Sequence, residues 1–168
     1  FQITEEAYRP FIRDILKGLA KNGFKNIIIL NGHGGGQTKV LQEVAGELAN
    51  ELGVRTLVIN WWSFASDVTM EVFKEDGGHA GLNETAYIQA IDPTLVHKER
   101  YRADLATAYP EAGTWSATPF PSSIGLYKPG QGYPNFDQAQ ADEYFQKVNA
   151  KVSGFIQEVI NKWDMAGL

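Results

Sequence analysis

Two of the three histidines sit in glycine-flanked segments. His33 lies in Asn31-Gly32-His33-Gly34-Gly35-Gly36, and His79 in Gly77-Gly78-His79-Ala80-Gly81-Leu82-Asn83-Glu84-Thr85. Imidazole is the side chain that serves both as a metal ligand and as a proton carrier near neutral pH. Glu84, five positions after His79, adds a carboxylate where a helix is due to begin. Imidazole and carboxylate delivered from the ends of rigid elements are donors that a divalent metal takes. We therefore expect His33 and Glu84 to ligate a common cation. His79 is expected on the loop beside it, with Asp76 accepting its second ring proton as outer carboxylates do. His97, in a polar stretch after Pro93, reads as surface or structural. A single loop histidine is more often a hydrogen-bonded scaffold residue, and Glu84 alone would be a helix-start acid favoured by the dipole. The two segments together, each opened by glycines, favour a site.

A glycine-rich turn after an aliphatic strand also invites a nucleotide. The turn after Leu30 has no Gly-Lys-Ser/Thr ending, which removes the phosphate-binding loop. A dinucleotide site would place an acid at the end of the next strand, and this chain has Asn60 there. A nucleotide-binding module is thus the weaker reading.

These residues need elements to hold them. Thr4-Glu5-Glu6 reads as a helix start, and Phe11, Ile12, Ile15, Leu16 and Leu19 recur at helical spacing up to Asn22-Gly23. Pro10 falls inside this pattern and either kinks the helix or marks its first turn. Ile27 to Leu30 is a short apolar run bounded by turn signals, the mark of a buried strand. Gln37 to Leu52 is helical, and Val54 to Ile59 is a second strand. Helix–strand–helix–strand order with short connections predicts parallel pairing. Trp61 and Trp62 follow at a strand end, where they can wall a pocket or pack in the core. Helices are expected near Val68–Phe73 and Asn83–Ile91, and an irregular run or edge strand within Pro93–Leu105. The segment Ala106–Pro134 is rich in Gly, Pro, Ser and Thr. Such a long loop is usually functional, and Trp115 and Tyr127 within it are pocket candidates. Asp137 caps a last helix whose apolar stripe runs from Tyr144 to Trp163.

Composition narrows the class. At 168 residues, with 43% hydrophobic content, the chain can bury a proper core in one α/β domain. A net charge of −5 argues against a surface that tracks nucleic-acid phosphates. The absence of cysteine rules out a disulfide framework, a thiolate zinc site and a thiol nucleophile. No apolar run is long enough to span a bilayer, and a cytoplasmic setting is the natural expectation. Phe1-Gln2-Ile3 lacks an initiator Met, which suggests a processed or truncated chain.

Asn31-Gly32-His33-Gly34-Gly35 after an aliphatic strand, with Gly78-His79-Ala80-Gly81-Leu82-Asn83-Glu84-Thr85 downstream, resembles the creatininase (creatinine amidohydrolase) family. The match runs well from Thr4 to about Ile91 and loosely beyond. The resemblance implies a layered α/β fold with a mostly parallel central sheet flanked by helices. It implies a divalent centre of zinc or manganese, one or two ions, and homo-oligomers that are often hexameric. His33 and Glu84 would be metal ligands, and His79 would touch the substrate or carry a proton to the leaving group. Gly34, Gly35, Trp61, Trp62, Trp115 and Tyr127 would shape the substrate pocket.

Two departures stand out. The family's other ligands come from an N-terminal Glu-x-His-Gly strand motif and an Asp after it, which this chain lacks. Two ligands fall short of the three that a catalytic zinc takes from protein. The chain therefore reads as the C-terminal larger part of such an enzyme, inactive unless a separate or missing N-terminal segment completes it. Creatininase proper carries a Glu where this chain has Gly35, and wider members an Asn where it has Gly36. Creatinine itself is thus disfavoured. The expected activity is hydrolysis of a cyclic amide or related small polar ring by a metal-activated water. The alternatives are carbon–carbon cleavage of a cyclic sugar-like ketone and a non-catalytic oligomeric binding domain. The expected partner is a small-molecule substrate, with no nucleic acid and no membrane.

Overall fold

The aliphatic run before the first glycine segment forms strand β1 (Asn26–Asn31), and the second run forms β2 (Arg55–Asn60). These are seen in a computed structural model that describes residues 3–108 and 115–168. The start of the chain at Phe1-Gln2 and the 109–114 part of the expected long loop lie outside the described residues. β1 and β2 pair in parallel from Asn26↔Arg55 to Asn31↔Asn60, so both strands end at the same level.

The chain divides into two compact units. The first holds the residues up to Phe64 together with Gly154–Leu168. In it, helix α1 (Glu5–Lys21) starts after Thr4 with Glu5 and Glu6 in its first turn and Lys21 in its last. Both placements suit the helix dipole. Pro10 lies in the helix interior, not at its first turn. Helix α2 (Gly36–Leu52) connects the strands, as a parallel pair requires. Leu16, Ile27, Val40, Val44, Leu48 and Val54 form the buried core between these helices and the strands. Along the solvent edge Arg9 meets Glu43 at 2.5 Å, and Arg13 meets Glu47 and Glu51 at 2.8 and 2.7 Å. A four-residue helix, α3 (Trp61–Phe64), follows β2 directly.

The second unit is Ala65–Ser153. It contains α4 (Ser66–Phe73), β3 (Gly78–His79), α5 (Leu82–Ile91), β4 (Thr107–Ala108) and β5 (Gly125–Leu126). Between α5 and β4 the chain makes three 3₁₀ turns, at Pro93–Leu95, Lys98–Arg100 and Ala103–Leu105, where an irregular run or edge strand was expected. The last helix, α6 (Gln138–Met165), begins in this unit and ends in the first. Asp137 caps it by accepting the Gln140 N–H at 3.0 Å. Its buried residues are Ala141, Tyr144, Val148 and Val152, while Phe155, Ile156, Val159, Ile160 and Trp163 are only half-buried. No described helix is long and apolar enough to cross a membrane.

The fold is therefore mixed α/β, but its sheets are small. Among the described residues the parallel sheet has two strands, and the second sheet orders β3–β5–β4 with one antiparallel and one parallel pairing. The large, mostly parallel central sheet that the family resemblance implies is not seen among the described residues. Buried parallel strands need uninterrupted apolar runs. After β2, Gly, Pro and Ser break up the segments that join the helices, and strands of two residues result.

Candidate functional site

His33 stands two residues past the end of β1, exposed, on the loop that leads into α2. That loop is built from a buried amide. Asn31 Nδ2 donates to Asn60 Oδ1 at 2.8 Å and to Thr38 Oγ1 at 3.3 Å. Asn31 Oδ1 accepts the His33 N–H at 3.3 Å and Gln37 Nε2 at 3.1 Å. Gln37 Nε2 also donates to the His33 carbonyl at 3.1 Å. The pairing of Asn31 with Asn60 in register puts the two amides side by side at the strand ends.

Gly35 precedes α2 with φ 88° and ψ −159°, a conformation that is essentially glycine's alone. Gly34 lies under Trp62, and a Cβ there would sit 3.4 Å from ring atom Cζ2. Trp61 and Trp62 meet edge to face, with centroids 6.4 Å apart. A cavity of about 280 Å³ opens beside the end of β2, lined by Val58, Ile59, Asn60, Ser63, Phe64 and Phe155. The first unit thus brings His33, Gly34, Gly35 and Trp62 to one end of the strand pair.

The second segment is held differently. His79 is exposed on β3, paired with Gly125 of β5. Tyr127 follows β5 directly and is 48% exposed. Ala80 has φ 51°, a left-handed conformation that is costly for a residue with a Cβ. Its N–H donates to Glu84 Oε2 at 2.6 Å. Glu84 sits in the first turn of α5, so this bond both fixes the carboxylate and ties down the loop before the helix. Asn83, buried, accepts the Gly78 N–H at 3.1 Å. Asp76 pairs with Lys128 Nζ at 2.6 Å, and Glu75 Oε2 accepts the Gly132 N–H at 2.9 Å. The second unit thus gathers Asp76, His79, Glu84 and Tyr127 around β3. Trp115 stacks on Phe120 with centroids 6.0 Å apart and is 42% exposed. His97 is exposed and lies 3.3 Å from Glu99, in line with a surface role.

The donor types suit a divalent ion, since His33 is presented from a strand end and the Glu84 carboxylate is already held by a backbone N–H. Their number is short of a complete site. Among the described residues no group of three or more His, Asp or Glu side chains converges. Reasoning from sequence passed over Asn31, Gln37 and Lys128 and took Asn60 only as a missing acid. The one available signal was an Asn at the end of each aliphatic strand.

The family model for creatininase, described as creatinine amidohydrolase, matches residues 1–154. A 3-dehydro-scyllo-inosose hydrolase of Thermotoga maritima is 29% identical over 106 residues, covering 58% of this chain and 33% of the relative. A creatinine amidohydrolase of Pseudomonas putida is 23% identical over 133 residues, covering 70% of this chain and 51% of the relative. The chain therefore spans about half the length, or less, of these curated relatives. No solved structure matches.

Proposed function

Because the chain belongs to the creatininase family, we propose that it forms part of a metal-dependent hydrolase acting on a small polar ring. The observation that carries this reading is the way the fold treats the two histidine segments. Each stands at the end of a strand, and each is fixed by side-chain hydrogen bonds to its own backbone.

In this reading His33 and Glu84 each supply one metal ligand, and further ligands come from outside the described residues. A divalent cation, zinc or manganese, supplies Lewis acidity and an activated water when bound. His79 donates or accepts the proton at the leaving group, a role for which imidazole is suited. Asp76, through Lys128 or through the His79 ring, steadies the segment that carries this histidine. Gly34 and Gly35 leave room for the substrate, while Trp61, Trp62, Trp115 and Tyr127 offer flat surfaces to a ring. Additional parallel strands beside β1 and β2, a hexameric assembly and a cytoplasmic location complete the proposal by family likeness.

The bond cleaved is an amide in a cyclic compound. A second reading, hydrolysis of a carbon–carbon bond in a cyclic sugar-like ketone, is favoured by the match to the inosose hydrolase. Metal analysis and turnover of the intact protein test the proposal, with a panel of lactams and inososes as substrates. His33→Ala and Glu84→Ala are each expected to lower bound metal and rate by at least about tenfold. Full metal and full rate in both variants would overturn the assignment, and the panel decides between the two bonds.

A further inference from the structure

His33 is surrounded in sequence by glycines, at 32, 34, 35 and 36. Glycine restrains the backbone least of all residues, so this loop has no intrinsic reason to hold one conformation. An imidazole that binds a ligand needs a fixed peptide. The structure supplies the restraint from side chains. Asn31 is buried, at 4% exposure, and its amide uses both donors and both acceptor positions. The His33 N–H ends on Asn31 Oδ1 and the His33 carbonyl on Gln37 Nε2, which itself bonds Asn31. Both backbone polar groups of His33 are thus held by one connected pair of side chains. Asn60, at the end of the neighbouring strand, anchors that pair to the sheet.

We propose that Asn31, Gln37 and Asn60 form an amide clamp that positions His33, with Asn31 as its hub. They act through His33, without touching substrate or reacting atoms. A buried amide with every group engaged is costly to disturb, since each broken bond leaves a desolvated partner. This gives the glycine loop a single geometry while keeping the space around the imidazole open. The clamp's value for metal binding rests on the reading of His33 as a ligand. Its existence as a restraint does not.

Two measurements on the intact protein separate these. The first is Zn²⁺ affinity in His33→Ala, Gln37→Glu, Asn31→Asp, Asn60→Leu and Asn60→Asp. Gln37→Glu keeps the size of a half-buried side chain and removes its donor. Asn31→Asp removes the donors to Asn60 and Thr38. Both are expected to weaken Zn²⁺ binding by about tenfold or more, as loss of an outer hydrogen-bond partner does. Asn60→Leu should weaken it too, and Asn60→Asp, which keeps the acceptor, should restore it. The second measurement is the backbone N–H order parameter of residues 33–36 by NMR without metal. It should fall from about 0.85 to below about 0.6 in Gln37→Glu and Asn31→Asp. If His33→Ala loses affinity while the amide variants bind as the wild type does and keep its order parameters, the clamp is refuted and the ligand stands. If His33→Ala binds Zn²⁺ normally, the ligand reading fails, and unchanged order parameters in the amide variants would then refute the clamp as well. Lowered order parameters would support it whatever the metal does.

Discussion

Tyr144 offers a test of the second unit that does not depend on knowing the substrate. Its side chain is fully buried, with the hydroxyl 2.9 Å from Thr69 Oγ1 and the ring 5.1 Å from that of Phe73. Burial pushes its phenol from an ordinary 10.0 up to about 12. The native state therefore keeps the proton over a range in which the unfolded chain has lost it. Between pH 10 and 12 the unfolded state binds fewer protons, so stability falls as pH rises. The linkage amounts to about 1 kcal/mol at pH 11 and about 2 kcal/mol at pH 12. Tyr144→Phe removes the titrating group and one hydrogen bond. At pH 8 the variant should be less stable by about 1 kcal/mol, since Thr69 keeps its bond to the Ala65 carbonyl. The two effects oppose each other. Urea unfolding should show the gap closing near pH 11 and reversing by about 1 kcal/mol near pH 12. Lysines and the other tyrosines titrate in both proteins and cancel in the difference. Parallel decline of the two proteins from pH 8 to 12 would refute the argument, because it would mean the hydroxyl ionises as easily folded as unfolded.

Packing alone decides two further outcomes. A Cβ on Gly78 would fall 2.5 Å from the Gly125 carbonyl oxygen and 3.1 Å from Leu126 Cα, both backbone atoms of the paired strand. Gly78→Ala should cost about 1–3 kcal/mol in urea unfolding, whereas a neutral effect would show that β3 and β5 lie further apart. Leu48 is fully buried in the first unit's core, and Leu48→Ala should cost about 2–5 kcal/mol by the same measurement. A loss below about 1 kcal/mol would mean that α2 does not close over the strands as described.

Periodicity carried the local structure well. Apolar residues at helical spacing placed α1, α2, α4 and α5 within a few residues, and the two unbroken aliphatic runs placed β1 and β2 in parallel. These are the segments in which burial repeats along the chain, so the signal is the sequence itself. The width of the sheet was not legible. It depends on which strands lie beside which, and pairing between distant segments leaves no mark in a window of ten residues. The 3₁₀ turns between Pro93 and Leu105 were hidden for the opposite reason. Each is set by a local bond, such as Asp92 Oδ1 accepting the Thr94 N–H at 2.9 Å, that no hydrophobic pattern announces.

The two glycine segments look alike as letters and are unlike as structure. Around His33, Gly35 faces open space and is needed for its positive φ, so the loop must borrow its rigidity from Asn31, Gln37 and Asn60. Around His79, Gly78 is needed because the backbone of β5 passes too close for any side chain. That loop is rigid through contact, and its Ala80 accepts a left-handed conformation to deliver an N–H to Glu84. A short motif of glycine and histidine therefore fixes where the imidazoles stand but not what holds them. The amides of Asn31, Gln37 and Asn83 drew no such role from the sequence, and Glu84 was singled out as a ligand, not for the N–H that it accepts from Ala80. An amide's role is settled by how many of its hydrogen-bonding groups are buried and engaged, and that count exists only in three dimensions. It follows that substitutions at Asn31 and Gln37 should mimic loss of His33, while Asn83 substitutions should loosen the β3 segment without touching the first loop.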